Sequence, residues 1–322
     1  GATYGLDNIY LDYENTSSTA QTYTFAHSVN ATTITIGTSN SQVNSTLLLS
    51  ETADGTNLVI TGNIAGGGNY TAAGDVASGQ LDINSNTDVT GTIGTSGNYL
   101  AAITIADTMT LTAKGSIYSG NITLEDVTNG GTGSNATLAL NGTAGSSYDV
   151  YSIINGGNGG NTGGAGLIDV NSGNWTFRNA IGQVSMVSAM QVEDNAWINI
   201  SNDISANETI TVNGTMNITG SLSITANDGS EAGSGLEIGH TQGSSANGTL
   251  QISDDSVLTI GSKNSGGANQ GDGANFNNAT IRLKGAGTSS YSSNATAAID
   301  IGSNNQTVTL NGVTLDLIGN SN

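Results

Sequence analysis

A short strand motif recurs along the chain and constrains the fold more than any other feature. Ile, Leu or Val alternate with Thr, Ser or Asn, and Gly, Asn, Asp or Ser follow, as in 209–215 (TITVNGT) and 314–319 (TLDLIG). Alternation with a period of two places the apolar side chains on one face of a strand and the polar ones on the other. No comparable stretch has helical periodicity, so the sequence predicts an all-β chain.

Two all-β architectures produce many short strands at irregular spacing. One is a parallel β-helix (β-solenoid), and the alternative is an antiparallel β-sandwich. The chain has only 5% aromatic residues and no Pro, whereas hairpin-rich folds usually have larger aromatic cores and some Pro in their turns. Stacked coils instead bury rows of Val, Ile, Leu, Thr and Asn. We therefore predict the parallel β-helix.

Two segments carry a resemblance to a known group of proteins. Residues 209–230 (TITVNGTMNITGSLSITANDGS) and 247–262 (NGTLQISDDSVLTIGS) resemble the passenger repeats of bacterial autotransporters and related β-helical adhesins. The resemblance covers roughly 195–322 and is compositional elsewhere, and the translocator barrel of that family is absent from these residues. It implies a rigid stalk or an adhesive surface.

Length and glycine clusters bear on the domain organisation. A solenoid lengthens without widening its core, so we expect residues 1–322 to form a single elongated domain. The Gly-rich stretch 155–164 (NGGNGGNTGG) is the one candidate boundary. It and the Gly-dense stretches 66–68 and 265–273 are expected to be loops that project from the stack.

Charge and chain composition exclude several classes of protein. Five Lys and Arg against 25 Asp and Glu give a formal net charge of -20, which removes the electrostatic basis of nucleic-acid binding. No apolar run is long enough to insert into a membrane. The chain begins at Gly1 without a leader, so we expect an extracellular or cell-surface protein from which a signal peptide has been removed.

Catalytic constellations were sought among the His and the acidic residues. His27 and His240 lie far apart without partners at defined spacing, and there is no nucleophile motif. A polysaccharide-active β-helix enzyme would need facing carboxylates and cations; the candidates are Glu125, Asp126, Glu193, Asp194, Asp254 and Asp255, with Lys114, Arg178, Lys263, Arg282 and Lys284. Because adjacent residues of a strand point to opposite faces, these acid pairs do not form a two-carboxylate site. We predict that the chain is not an enzyme.

Oxygen-rich turns are the only candidates for a metal site. Asn227, Asp228, Glu231 and Asp272 lie beside flexible Gly and could bind calcium, although neither turn matches an EF-hand or a repeated nonapeptide. No other cofactor is expected. Asn-x-Ser/Thr sequences are candidate glycosylation sites; they begin at Asn15, Asn30, Asn44, Asn69, Asn121, Asn135, Asn141, Asn174, Asn199, Asn207, Asn213, Asn217, Asn247, Asn278, Asn294 and Asn305.

Strand-like alternation continues close to both ends of the sequence, at 8–15 (NIYLDYEN) and 308–320 (VTLNGVTLDLIGN). Solenoids usually cover their end coils, because an open strand edge recruits another chain. These ends have two explanations: the chain is a piece of a longer β-helix whose other residues cover them, or the end strands pair with other copies. We predict an extracellular structural protein of the second kind, which forms a filament, sheath or surface layer. The alternatives are an adhesin-like stalk that binds host or abiotic surfaces, and a polysaccharide-active enzyme.

Overall fold

The computed structural model describes residues 5–11, 20–37, 45–51, 57–67, 77–126, 136–157, 165–206, 210–219 and Leu250 with their side chains. It describes the backbone of 222–225, 234–238, 249–252, 257–260, 273–277, 280–284, 298–301, 308–311 and 314–318. Strands, bridges and turns account for the regular structure of these residues, and none of them is helical. No helix in this part of the chain could therefore cross a membrane.

The strands are short and follow one another throughout the chain. The first thirteen are β1 (Leu6–Leu11), β2 (Thr22–Phe25), β3 (Val29–Ile36), β4 (Thr46–Leu49), β5 (Leu58–Gly66), β6 (Gln80–Ile83), β7 (Thr87–Val89), β8 (Leu100–Ile105), β9 (Thr110–Ala113), β10 (Ile117–Leu124), β11 (Thr137–Asn141), β12 (Ser147–Gly156) and β13 (Leu167–Phe177). The others are β14 (Ala189–Ile200), β15 (Ile204–Ser205), β16 (Ile210–Val212), β17 (Thr215–Ile218), β18 (Leu222–Thr225), β19 (Ser234–Ile238), β20 (Thr249–Ile252), β21 (Val257–Ile260), β22 (Gly273–Asn277), β23 (Thr280–Lys284), β24 (Ala298–Ile301), β25 (Val308–Asn311) and β26 (Thr314–Ile318).

Every described strand pair is parallel, and the pairing recurs once per coil. An isolated antiparallel bridge, Thr95 to Asn98, closes a turn. Parallel strands cannot be joined by tight hairpins, so the chain must travel around the molecule before it returns to the same ladder. The predicted parallel β-helix is confirmed, and the antiparallel sandwich is wrong.

The described pairings form three ladders, which we call faces 1, 2 and 3. Face 1 begins with β2, β4, β6 and β8 and ends with β18, β21 and β24. Face 2 begins with the first residues of β3 and β5 and ends with β19, β22 and β25. Face 3 begins with β1 and the end of β3, and it finishes with β20, β23 and β26. One coil contributes a rung to each face in turn.

The alternation predicted from sequence separates a dry interior from a wet exterior. In β6, Leu81 and Ile83 are fully buried, while Gln80 and Asp82, which alternate with them, are half-buried. Burial of each such Leu or Ile side chain stabilises the fold by about 1.5–3 kcal/mol. The buried apolar residues of successive coils form one continuous hydrophobic core along the described part of the stack.

One column of apolar residues runs through the whole of face 3. Each member is in register with the next across a parallel pair, so identical alternation on successive coils produces a continuous row. The column consists of Ile9, Ile34, Ile64, Ile93, Ile117, Val150, Phe177, Ile200, Ile218, Ile252, Leu283 and Leu317.

Glycines form the corners at which the chain turns from one face to the next. Asn213 and Gly214, a typical hairpin sequence, lie between β16 on face 2 and β17 on face 3, so this pair turns a corner between parallel ladders. A Cβ on Gly214 would collide with the carbonyl oxygens of Glu193 and Ala196. The turn residues were predicted correctly, but they bend a coil and do not close a hairpin.

The predicted glycine-rich loops are wrong at their first residues. Gly66 and Gly156 are the buried last residues of β5 and β12, and a Cβ on either would collide with backbone carbonyl oxygens. Close backbone approach therefore explains these two glycines. Residues 68, 158–164 and 265–272 lie outside the described residues. Across 155–164, β12 and β13 pair directly, from Ser147 with Asn174 to Val150 with Phe177.

Candidate functional site: outward rows and an open strand edge

An aromatic row lies on the exterior where face 3 meets face 1. The rings of Tyr118 and Tyr151, which are in register, stack with centroids 5.3 Å apart and planes at 13°. Tyr99 meets Tyr118 edge to face at 5.5 Å, and the guanidinium of Arg178 lies 5.6 Å from the centre of the Tyr151 ring. Three tyrosines and an arginine thus connect successive coils through aromatic and cation–π contacts.

Arg178 is fixed in this row by a carboxylate. Its Nε donates to Oδ1 of Asp149 at 2.8 Å, and this hydrogen bond raises the pKa of the guanidinium. Burial, followed by the charge of Asp149, raises the pKa of Tyr118. The ion pair is largely exposed, so it adds about 0.5 kcal/mol or less. Because the stacked rings cover one another, the row offers ring edges and hydroxyl groups to a ligand.

A polar row follows face 3 beside the apolar column. Nδ2 of Asn217 donates to Oδ1 of Asn199 at 2.7 Å, and Nδ2 of Asn199 donates to Oγ1 of Thr176 at 3.3 Å. The indole Nε1 of Trp197 also donates to Oδ1 of Asn199. Each amide is satisfied by the coil above or below, so the row holds neighbouring coils in register.

Two carboxyl groups on the exterior are partly removed from water. Burial raises the pKa of Asp82 on face 1, against an opposing hydrogen bond from Thr104. Burial likewise raises the pKa of Asp169 on face 2, against a hydrogen bond from Asn171. Both groups belong to the sheet surface, and within the described residues no cation pairs with either.

β1 is the first described rung of face 3, and we call its side away from β3 the open edge. Among the described strands, β1 pairs with β3 on one side and with none on the other. Ile9 is half-buried, whereas Ile34, its neighbour in the apolar column, is 1% exposed. Leu6 is 59% exposed although it is in register with the buried Ala31. Within the described residues, this side of β1 has apolar surface that a further strand could cover.

The candidate catalytic residues are dispersed. His27 is exposed between β2 and β3, and His240 lies outside the described residues. Glu125 is half-buried and Asp126 is 7% exposed after β10, while Glu193 and Asp194 lie at a corner of β14.

The two candidate cations whose side chains are described, Lys114 and Arg178, pair with other acids. Lys114 binds Asp88 at 3.0 Å, and Arg178 binds Asp149. Arg282 and Lys284 lie in β23, where only the backbone is described. Lys263, Asp254 and Asp255 lie outside the described residues.

The calcium candidates Asn227, Asp228, Glu231 and Asp272 all lie outside the described residues. In the part of the chain whose side chains are described, no group of three or more His, Asp or Glu is placed to hold a metal ion. Calcium binding therefore stays a prediction from the sequence.

The candidate glycosylation sites divide into two groups. Those among the described residues are Asn30, Asn121, Asn141, Asn174, Asn199, Asn213 and Asn217. Those outside are Asn15, Asn44, Asn69, Asn135, Asn207, Asn247, Asn278, Asn294 and Asn305. The described sites differ greatly in exposure, from the exposed Asn141 to Asn217 at 8%.

Sequence reasoning missed the aromatic row and the asparagine row. Their members are separated by whole coils of unequal length, so no local spacing connects them. No known protein family, curated protein or solved structure matches this chain. The function of this chain is therefore inferred from its own residues and their arrangement.

Proposed function

We propose that this chain is an extracellular structural protein that assembles into filaments by pairing strand edges between copies. The open edge of β1, with its exposed apolar side chains, is the observation that carries the proposal. A strand edge of this kind is a template for another strand, and parallel pairing would bury the apolar surface of the first coil.

The two outermost described rungs of face 3 are complementary. β1 begins the apolar column with Ile9, and β26 ends it with Leu317. If β26 of one copy pairs in parallel with β1 of the next, Leu317 takes the place beside Ile9 that Ile34 has on the other side. Such a head-to-tail contact does not close on itself, so it propagates into a filament.

The contact between two copies, which we call the joint, would pair strands on only one of the three faces. With β1 placed beside β26, one rung is missing on face 1 between β24 and β2, and one is missing on face 2 between β25 and β3. A joint of this kind is weaker than the contact between internal coils, which pair on all three faces. Filaments should therefore dissociate at a lower denaturant concentration than the coils unfold.

The sides of the stack suit a filament that remains separate from its neighbours. Thr, Asn and Ser dominate the outward positions of the described strands, and the net charge of -20 would repel parallel filaments. Two exposed large apolar side chains, Leu6 and Tyr10, lie on β1 itself, and the third described one is Val184. Among the described residues, two of the three exposed large apolar side chains therefore lie on β1, where the next copy would bind.

A rigid adhesin stalk is the second candidate, and the aromatic row favours it. Tyr99, Tyr118, Tyr151 and Arg178 place hydroxyl and guanidinium groups on the side of the stack, where a surface-bound target could reach them. A stalk would display this row as an isolated rod, whereas a filament subunit would form a continuous polymer.

Electron microscopy of the protein released by its own cells, and of the purified chain at rising concentration, separates the two candidates. Filaments with this chain as the only subunit support the proposal, and isolated rods at high concentration contradict it. Leu6→Asp should abolish assembly because the joint would bury an unpaired carboxylate. Thr24→Asp is the matched control, because Thr24 is an exposed outward residue of β2 on face 1, and this variant should assemble normally.

A further inference from the structure

The candidate glycosylation sites share one sequence pattern but differ in the chemistry available to the amide nitrogen. N-glycosylation forms a bond between Nδ2 of Asn and the anomeric carbon of a saccharide. The bond from that carbon to a lipid-linked phosphate breaks, the phosphate leaves, and the amide proton passes to a base of the transferase. An Asn whose Nδ2 is engaged or covered inside a sheet cannot present it to the transferase.

Three of the described sites use this nitrogen in hydrogen bonds within the sheets, two of them in the polar row of face 3. Nδ2 of Asn121 donates to Oγ1 of Thr123, the hydroxyl of its own Asn-x-Thr sequence, at 3.3 Å. Nδ2 of Asn199 and of Asn217 donate to the adjacent coils. Asn217 is also buried. A saccharide on any of these would replace one N–H of a nitrogen that lies against the same or the adjacent strand, where the hydrogen-bond partner occupies the space beside it.

Three further sites are sterically restricted. Asn30 and Asn174 are half-buried within β3 and β13, and Asn174 lies between Ser147 and Trp197 of neighbouring coils. Asn213 is half-buried at a corner, and its Oδ1 is enclosed without a partner.

Asn141 differs from all of these. It is the exposed last residue of β11, and residues 143–147 after it are exposed as well. Oγ of Ser172 shares its one proton between Oδ1 of Asn141 at 2.8 Å and the carbonyl oxygen of Gly142 at 2.6 Å, and among the described residues no acceptor takes Nδ2 of Asn141. Thr143 of the same Asn-Gly-Thr sequence is exposed, and its backbone N–H donates to the hydroxyl of Tyr148.

We propose that Asn141 is an N-glycosylation site of the folded protein and that the described sites inside the sheets remain unmodified. A glycan here would project from the side of the stack, away from the open edge of β1, so it is compatible with assembly. The inference goes beyond the proposed function, and it relies on that function only for the extracellular location that would expose the chain to a transferase.

The first measurement is electron-transfer mass spectrometry of peptides from the protein isolated from its own cells. Because Lys and Arg are few, a protease that cleaves at aromatic residues should be used. A glycan on Asn141 with bare Asn199 and Asn217 is the expected result. An unmodified Asn141, or glycans on Asn199 and Asn217 instead, overturns the proposal for the natural protein.

The second measurement tests the structural argument itself. The purified chain is treated with an oligosaccharyltransferase and a lipid-linked oligosaccharide, once folded and once unfolded in denaturant that the enzyme tolerates. The folded chain should gain one glycan mass within the described region, at Asn141, and the unfolded chain should gain it also at Asn121, Asn199 and Asn217. Thr143→Ala should lose the modification, and Thr143→Ser, which keeps the hydroxyl, should retain it. Equal modification of Asn199 and Asn141 in the folded chain would refute the inference.

Discussion

The coils before Asn141 and those from Tyr148 onwards turn into face 3 in different ways. In the first region Gly62, Gly91 and Gly115 occupy the corner, two residues before the apolar column, and a Cβ on Gly91 or Gly115 would collide with the carbonyl oxygen of the glycine on the preceding coil. In the second region the position two residues before the apolar column is occupied by Tyr148, Trp175, Ile198 and Met216, which lie within face 3, and the corner falls two residues earlier, at Gly173, Ala196 and Gly214. Glycine lets one backbone rest against the next, whereas a large side chain there must point into the core.

The difference changes the cross-section of the stack. In the second region β12, β13 and β14 are 10, 11 and 12 residues long and continue across corners. Trp175, Ile198 and Met216 are fully buried, and the Tyr148 ring stacks on Trp175 with centroids 4.7 Å apart. The same parallel ladder can therefore enclose a narrow core with glycine corners or a wider one with aromatic filling.

The largest effect is expected for Gly62→Ala. Gly62 has φ of +122°, and a Cβ there would collide with the carbonyl oxygen of Ala31 on the preceding coil. Strain and backbone collision together should lower the free energy of unfolding by about 4 kcal/mol, measured by denaturant titration. Gly97→Ala, at a turn where a Cβ meets nothing within 4 Å, is the control and should change it by about 0.5 kcal/mol or less. Equal effects would refute the corner argument.

Trp175→Ala tests the wider region. The indole is fully buried, and its Nε1 donates to the carbonyl oxygen of Ser172 at 2.8 Å. Loss of this volume should destabilise the protein by about 3–4 kcal/mol in thermal or chemical unfolding. Trp197→Phe, on the outward side of the next coil, removes only the contact with Asn199 and should cost about 1 kcal/mol. A small effect at Trp175 would show that the wider core collapses without it.

Tyr148→Phe should have a smaller effect in the same region. The phenol oxygen accepts a hydrogen bond from the Thr143 backbone N–H at 2.9 Å, and contacts with Thr143 lower the pKa of Tyr148. Removal of the Tyr148 hydroxyl, and with it this hydrogen bond, should lower the free energy of unfolding by about 1 kcal/mol. Tyr151→Phe keeps the stacked ring and serves as the control, with almost no change expected. A larger loss for Tyr151 would contradict this assignment of the two tyrosines.

The smallest effects compare Asp82→Asn in the first region with Asp169→Asn in the second. Burial raises both carboxyl pKa values, so the folded state holds a proton more tightly than the unfolded state. The stability from each neutral carboxyl is complete below the unfolded pKa and is lost as pH rises through the folded pKa. Each Asn variant should therefore be more stable than the parent near neutral pH, and the difference should vanish in acid. Unfolding free energies measured across this pH range would contradict the burial effect if the parent were the more stable at neutral pH.

Local patterning predicted the strands and their turns well. The segment TITVNGT predicted β16, a turn at Asn213 and Gly214, and the start of β17, and the structure has each of them. It did not predict that the turn separates two faces, because an Asn-Gly pair between alternating strands fits a hairpin equally well. Low aromatic content and the absence of Pro favoured the parallel β-helix over the sandwich, and the parallel strand pairing confirmed it.

The candidate sites were less predictable than the fold. The Asn-x-Ser/Thr sequences at Asn141, Asn199 and Asn217 gave no indication of which amide is exposed. That depends on the coil above and below, which is distant in sequence. The aromatic row of Tyr118 and Tyr151 was missed for the same reason, since its members meet only through the register of β10 and β12.

By itself, the sequence determined that this chain forms short strands with one dry and one wet side, and that its surface is strongly acidic. These properties follow from residue type and from a period of two, which are local. Only the tertiary structure decided that three faces close a coil, that Gly62 and Trp175 both lie two residues before the apolar column, and that Asn141 stands outside the rows. Those outcomes depend on the register between strands far apart in the chain, because each pairing is stabilised by the coils on both sides of it.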